Sequence, residues 1–381
     1  MASIQTDGFL TNQNITVNLQ PWFKNGFRFT RLYLYEEIGG EVAHGELDLI
    51  YDGSEEAFKM LSEQKTAMLT LQEEEGPNLT IPIFFTNIVQ DHNRVYTTFL
   101  CIQAIDFVDV DITTVWEMPI KDVINALYPG NVDIRDGCEP DIQSDPLYYQ
   151  NKETNKDLCE RLCYSYKKDC IFAFGFEGLM IKDTMGMKNS KGKDESDENN
   201  LPDLRVDIQG STQRSAFTNS NFKRSLYQLP INLWEDTEQK VAIKDYTDYE
   251  SLNLNVMAKY RNRYYMHKDY YQLWYNYTYN WVYQHSTYYQ EISVIHRFMP
   301  RYKIGDVVYY TNEQFTSENT KWDYKYYLVR SNEIFLSTDQ SDVYDEYGLR
   351  YGWTSKLVAL QENGAIALGS DEDPSEGSVA G

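Results

Sequence analysis

The chain has 381 residues, 42% hydrophobic and 24% charged, which fits a globular protein of two or three domains and excludes a disordered one. Its formal net charge of −23 excludes a protein that grips nucleic acid through phosphates or docks on an anionic membrane, because both need clustered Lys and Arg. Aromatic residues reach 15%, with 32 tyrosines, a ring type enriched at interfaces because it joins an apolar body to a polar tip.

The opening "MASIQTDGFLTNQNITVNLQPWF" has no basic segment followed by an apolar one, and no stretch approaches the roughly 18 apolar residues of a membrane span. The expectation is a chain without secretory leader or membrane insertion, in which the N-x-T sites at Asn14, Asn78 and Asn276 are chance matches. Five scattered cysteines (Cys101, Cys138, Cys159, Cys163, Cys170) read as reduced thiols in a cytosol rather than a disulfide scaffold.

Residues 1–110 read as a first β-barrel. "FRFTRLYLYEE", "GELDLIYD", "TAMLTLQ", "LTIPIFFTNIV" and "VYTTFLCIQAIDFVDV" are short runs rich in aromatic and β-branched residues, separated by turn signals such as Gly39-Gly40 and Asp52-Gly53. Strands at hairpin spacing predict an antiparallel barrel or sandwich, interrupted at "SEEAFKML" by a short helix capped by Ser54. Residues 111–205 predict an α+β middle domain. "MPIKDVINALYPG" is a helix closed by Pro129-Gly130. "TNKDLCERLCYSYKKD" is a helix capped by Thr154, with Leu158, Cys159, Leu162, Cys163 and Tyr166 on one face and Lys167 and Lys168 in its last turn. "CIFAFGFEGLMIKD" is a hairpin turning near Glu177-Gly178, and "MKNSKGKDESDENN" is a polar excursion.

Residues 206–235, with "LRVDIQG" and "YQLPINLW", start a second strand set, which resumes over 291–365 in "QEISVIHRFMPRYKIGDVVYYTN", "YKYYLVRSNEIFLS" and "WTSKLVALQEN". Between them, 236–290 holds "YYMHKDYYQLWYNYTYNWVYQHSTYY", ten tyrosines and two tryptophans in 26 residues. At helical spacing Tyr270, Trp274, Tyr277 and Trp281 form one stripe; at strand spacing the alternate rings match equally well. Length favours the helix, since about 20 residues without Gly or Pro exceed the usual strand. The rings predict packing against the middle domain or a neighbouring subunit. Residues 366–381 form an acidic tail expected to be disordered.

No catalytic, metal-binding or cofactor-binding constellation stands out. The five histidines are dispersed, and no P-loop, G-x-G-x-x-G or G-x-S-x-G is present. Cys159 and Cys163 share a helix face with leucines and read as core. Asp109-Val-Asp111 resembles a D-x-D motif but sits at a strand end.

Taken in order, "PWFKNGFRFTRLYLYEE…GELDLIYDG", "LCERLCYSYKKDCIFAFGFEGLMIKD" and "ISVIHRFMPRYKIGDVVYY…YYLVRSNEIFL…WTSKLVALQ" resemble the central hub protein of T-even-type contractile phage baseplates. Pro300, which fixes φ, and Gly305, which permits a positive φ, fit the turn of that family's second barrel. The resemblance implies a mainly β fold of two similar antiparallel barrels with an α+β middle domain. It implies a non-enzymatic virion protein assembled in the host cytoplasm. It also implies a homotrimer that joins a sixfold tail tube protein to a threefold central spike protein, touches other baseplate proteins, and lets DNA pass through its lumen without specific binding. The alternative reading is a carbohydrate-binding or glycoside-cleaving β-protein that uses the Tyr/Trp-rich stretch.

Overall fold

The computed structural model describes residues 8–11, 14–73, 78–101, 107–108, 111–135, 138–142, 147–184, 212–216, 273, 276–277, 280, 291–296, 302–309, 326–339 and 353–359. Tyr270, Trp274, Trp281, Pro300, Asp109, "LRVDIQG", "YQLPINLW", the polar excursion 187–200 and the acidic tail lie outside them.

The first strand set alternates strictly. In β2 (Ile15–Gln20) the residues Ile15, Val17 and Leu19 are buried while Thr16, Asn18 and Gln20 are half-buried on the opposite face. That is the period-2 pattern of a strand with one face on a core. β1 (Phe9–Leu10) precedes it, and β3 (Phe27–Glu37), β4 (Gly39–Val42) and β5 (His44–Tyr51) follow. α1 (Glu55–Glu63) interrupts at the predicted place, its Ser54 hydroxyl accepting the Ala57 N–H at 3.2 Å. β6 (Thr66–Glu73), β7 (Asn78–Asp91) and β8 (Arg94–Cys101) complete the set. Their inward faces enclose Trp22, whose ring lies 4.7 Å from both Phe27 and Phe85.

The middle region contains β9 (Asp111–Glu117), α2 (Ile120–Leu127), β10 (Val132–Ile134), β11 (Leu147–Thr154), α3 (Asn155–Ser165), β12 (Cys170–Gly175) and β13 (Gly178–Asp183). Thr154 caps α3 by accepting the Asp157 N–H at 3.0 Å, and all five residues of the predicted inner face are buried. The helix stops at Ser165 with Tyr166 as its C-cap, just before the lysines. Lys167 and Lys168 therefore lie beyond its last turn, and Lys167 instead pairs with Asp183 at 2.7 Å. β12 and β13 form the expected hairpin, in which Gly175 pairs with Gly178 and Gly178 carries φ +131°. β10, β13, β12 and β4 make a four-stranded sheet, and β9 with β11 a two-stranded one.

The last set is β14 (Thr212–Ala216), β15 (Glu291–His296), β16 (Val307–Tyr309), β17 (Tyr326–Ser337) and β18 (Trp353–Ala359). These strands do not stand apart from the first set. They continue its sheet in the order β1-β2-β6-β7-β8-β5-β3-β17-β18-β15-β14, with β16 beside β17, twelve strands in all and every pairing antiparallel. The chain is mainly β, with a curled antiparallel sheet and an α+β region, as the sequence patterns predict. The join is β3 to β17, registered from Glu37↔Ser331 to Arg31↔Ser337. Through it Ile334 and Leu336 enter the core of the first set.

Candidate functional site

β17 holds two elements end to end along one edge. Its first residues pair with β16 (Val307↔Leu328 to Tyr309↔Tyr326), and Ser331–Ser337 pair with β3. Between the two, Val329 and Arg330 meet the turn ahead of β16 and the corner after β3. Gly305 N–H donates to Val329 O at 2.7 Å, Val329 N–H to Asp306 O at 2.9 Å, and Ile38 N–H to Arg330 O at 3.0 Å. Gly305 takes φ +74°, a backbone conformation that a Cβ disfavours. A side chain there would also collide with the Met180 methyl. The turn thus seats on the β12–β13 hairpin.

Charged groups bolt this seam. Lys182 of β13, 2% exposed at its side chain, donates to Asp306 Oδ1 at 2.8 Å and to Ile304 O at 3.2 Å. Arg135, half exposed, reaches the same oxygen at 3.0 Å, while Asp306 Oδ2 accepts the Lys303 N–H at 2.8 Å. Burial alone would raise the Asp306 carboxyl. The Lys182 charge and the hydrogen bonds outweigh it and hold the group below its usual range. Burial pulls Lys182 down, partly offset by Asp306.

Farther along β17, Glu36 Oε1 accepts from Asn332 Nδ2 at 3.1 Å and Oε2 from the Phe176 N–H at 3.2 Å. Asn332 Oδ1 in turn accepts from the Ser355 hydroxyl at 2.7 Å. One chain of hydrogen bonds therefore ties β18, β17, β3 and the hairpin turn. Burial raises the Glu36 carboxyl, with those hydrogen bonds working in the opposite direction. Arg330 and Glu37 add an ion pair at 2.8 Å.

A second junction lies at the C-terminus of α3. Leu273, Asn276, Tyr277 and Asn280 are helical and buried. The Tyr277 ring centroid lies 5.3 Å from that of Tyr164, edge to face, and Tyr164 packs at 4.6 Å on Phe172. The asparagines finish the helix. Asn276 donates to Ser165 O at 3.2 Å and to Asp141 Oδ2 at 2.9 Å, and Asn280 donates to Tyr164 O at 2.8 Å. The terminal carbonyls of a helix have no intrahelical donor, and here side-chain amides from a segment over 100 residues away supply one. Of the predicted aromatic stripe, Tyr277 is turned into the core. The asparagines escaped the sequence reading, although polar residues at i, i+4 inside an aromatic run were the available signal. Asn276, wholly buried, offers no glycosylation acceptor.

Among the described residues no group of three or more His, Cys, Asp or Glu stands close enough to hold a metal ion, and no helix is long and apolar enough to cross a membrane. What the arrangement does chemically is join three strand systems into one body.

No protein-family model matches the chain, and no curated protein matches it. Solved structures do. A chain of the lidded Francisella PdpA–VgrG complex superposes with TM-score 0.51 at 12% identity, over 93% of this chain and 53% of that one. This chain thus spans about half the length of that neighbour. An Escherichia coli component of the type VI secretion system, described as structurally similar to the T4 bacteriophage tail proteins gp27 and gp5, gives TM-score 0.48 at 8% identity, covering 93% of this chain and 79% of its own. The 43 kDa tail protein of prophage MuSo2 from Shewanella oneidensis gives 0.47 at 10% identity, covering 93% and 99%. The structural neighbours are phage tail and type VI secretion proteins, and the likeness is one of fold.

Proposed function

We propose that the chain is a structural hub subunit of a phage tail baseplate or a related contractile injection machine, acting by assembly rather than catalysis. The observation that carries this reading is the single curled sheet built from both ends of the chain, a fold shared with a chain of the VgrG-containing complex. Among the described residues the sheet ends in β1 on one side and β14 on the other. Unpaired strand edges are sites where another chain adds. In a homotrimer, β14 of one copy would meet the β1–β2 edge of the next, and three copies would close a ring offering six strand sets to a sixfold tail tube protein and threefold symmetry to a central spike protein. The net charge of −23 suits a lumen that passes DNA without holding it. The ring resides in the virion after assembly in the host cytoplasm.

Light scattering on the purified chain tests this. Three copies of 44.7 kDa are expected to give a particle of about three times that mass, and electron micrographs are expected to show a threefold ring with a central hole. A stable monomer at micromolar concentration refutes it. The carbohydrate-binding alternative draws no support from Tyr277, whose ring is 2% exposed and leaves no face for a sugar.

A further inference from the structure

All five cysteines are buried thiols, and four of them belong to the core of the middle region. Their arrangement separates them. Cys159 and Cys163 are one turn apart on α3, where side chains lie about 5–6 Å apart at Cβ. A disulfide needs roughly 3.5–4.5 Å between Cβ atoms, so that pair stays as thiols. Cys101 lies in the other core. Cys138 and Cys170 come from different segments, and their sulfurs stand 3.2 Å apart with nothing between them. Bond formation requires these sulfurs to close to about 2.05 Å, a movement of roughly 1.2 Å.

We infer that Cys138 and Cys170 are a latent disulfide, open in a reducing cytosol and closed once the particle meets an oxidising exterior. The oxidant is a small-molecule disulfide. One cysteine sulfur attacks it as thiolate, forming a mixed disulfide and releasing one thiol. The second cysteine sulfur displaces the other half. The Cys138–Cys170 bond forms, the two external sulfurs leave as thiols, and each carries one of the two protons the cysteines gave up. The contact with Cys138 and burial raise the Cys170 thiol, so Cys170 rests protonated and exchange through it quickens as pH rises.

The position gives the bond a purpose. Cys138 N–H donates to Arg135 O at 2.9 Å, the Tyr166 hydroxyl donates to Cys138 O at 3.2 Å, and Asp141, three residues on, receives Asn276 and the Lys168 N–H. Cys170 opens β12, whose partner at that point is Asp183. A covalent bond there would fix the 138–142 segment to the hairpin, and with it the seat of the helix carrying Tyr277.

The test uses the full chain, purified reduced and incubated with oxidised glutathione at mildly alkaline pH, then denatured and alkylated. Intact mass is expected to show three alkylated thiols instead of five, and peptide mapping a single 138–170 link. The melting temperature is expected to rise by about 5–10 °C, from a cross-link closing a loop of some 30 residues, and to fall back with dithiothreitol. Cys170→Ser is expected to keep its four thiols free, while Cys101→Ser still forms the link. Five alkylated thiols after oxidation, or a link between any other pair, overturns the inference. The wild-type thiol count decides the matter even if Cys170→Ser does not fold.

Discussion

Replacing Asp306 with Ala removes the anion on which three donors converge at the seam. The Arg135 contact is half exposed, and such pairs contribute about 0–1 kcal/mol. Lys182 is different, because its side chain is 2% exposed and the ammonium would remain in place without its counter-charge. Removing one partner of a buried pair costs about 3–5 kcal/mol, mostly as the penalty of the stranded ion. At about 2–4 °C per kcal/mol for a domain of this size, Asp306→Ala is expected to lower the melting temperature by roughly 10 °C. The origin of that loss separates two explanations. If it is the stranded charge, Lys182→Met in the Asp306→Leu background restores most of the stability. If it is the turn geometry that Asp306 holds through the Lys303 N–H, the double variant stays as unstable as the single one. The pH profile follows from the same carboxyl. Its folded value lies below the ordinary 3.8, so its contribution is full above that value and is lost as pH falls through the folded one. Differential scanning fluorimetry across pH 2.5–7 reads this directly. A wild-type and Asp306→Asn pair with parallel profiles down to the lowest pH would refute the reasoning.

Glu36 has the opposite sign. Its folded value lies above the ordinary 4.5, so the folded state holds the proton more tightly, and this group's contribution improves on acidification and is lost as pH rises through the raised value. Glu36→Gln is therefore expected to melt at pH 7 no lower than wild type, with a flatter dependence over the mildly acidic range, because an Asn332 amide flip lets Ser355 complete the network. A loss of several degrees at pH 7 would show that the charge itself is required. Asn280→Ala leaves the Tyr164 carbonyl buried without that donor, at a cost of about 1–3 kcal/mol. Hydrogen exchange should quicken in the last turn of α3 while β2–β8 keep their protection, and uniform deprotection would contradict the local origin.

Local chemistry was legible in the sequence wherever neighbours along the chain decide structure. The alternation of Ile15, Val17 and Leu19, the caps at Ser54 and Thr154, and the glycine at 178 each act over a few residues, and each is found in place. The extent of α3 was misjudged because Lys167 and Lys168 looked like a favourable helix end, whereas Lys167 answers to Asp183 across the hairpin. The polar side chains of the seam were not legible. Glu36, Lys182, Asp306 and Asn332 look like ordinary surface polar residues in their own segments, and only the packing of β3, β13 and β17 converts them into a network. The aromatic stretch shows the same limit. Its stripe was read through the rings, but the buried face of the described residues runs through Leu273, Asn276, Tyr277 and Asn280, shared with the stripe at Tyr277 alone.

The pairing of β3 with β17 joins segments separated by roughly 300 residues, and the physical question is what keeps them together. Closing a loop of that length costs about 5 kcal/mol on a chain-entropy scale that grows only with the logarithm of length. Burying an aliphatic side chain contributes about 1.5–3 kcal/mol, so Ile334 and Leu336 in the first core roughly offset the closure by themselves. The seven registered ladder positions and the Glu36 and Lys182 networks then act as surplus rather than as the cost of closure. That surplus holds the two strand sets as one sheet continuous through β3 and β17, which a linker between separate strand sets would not do.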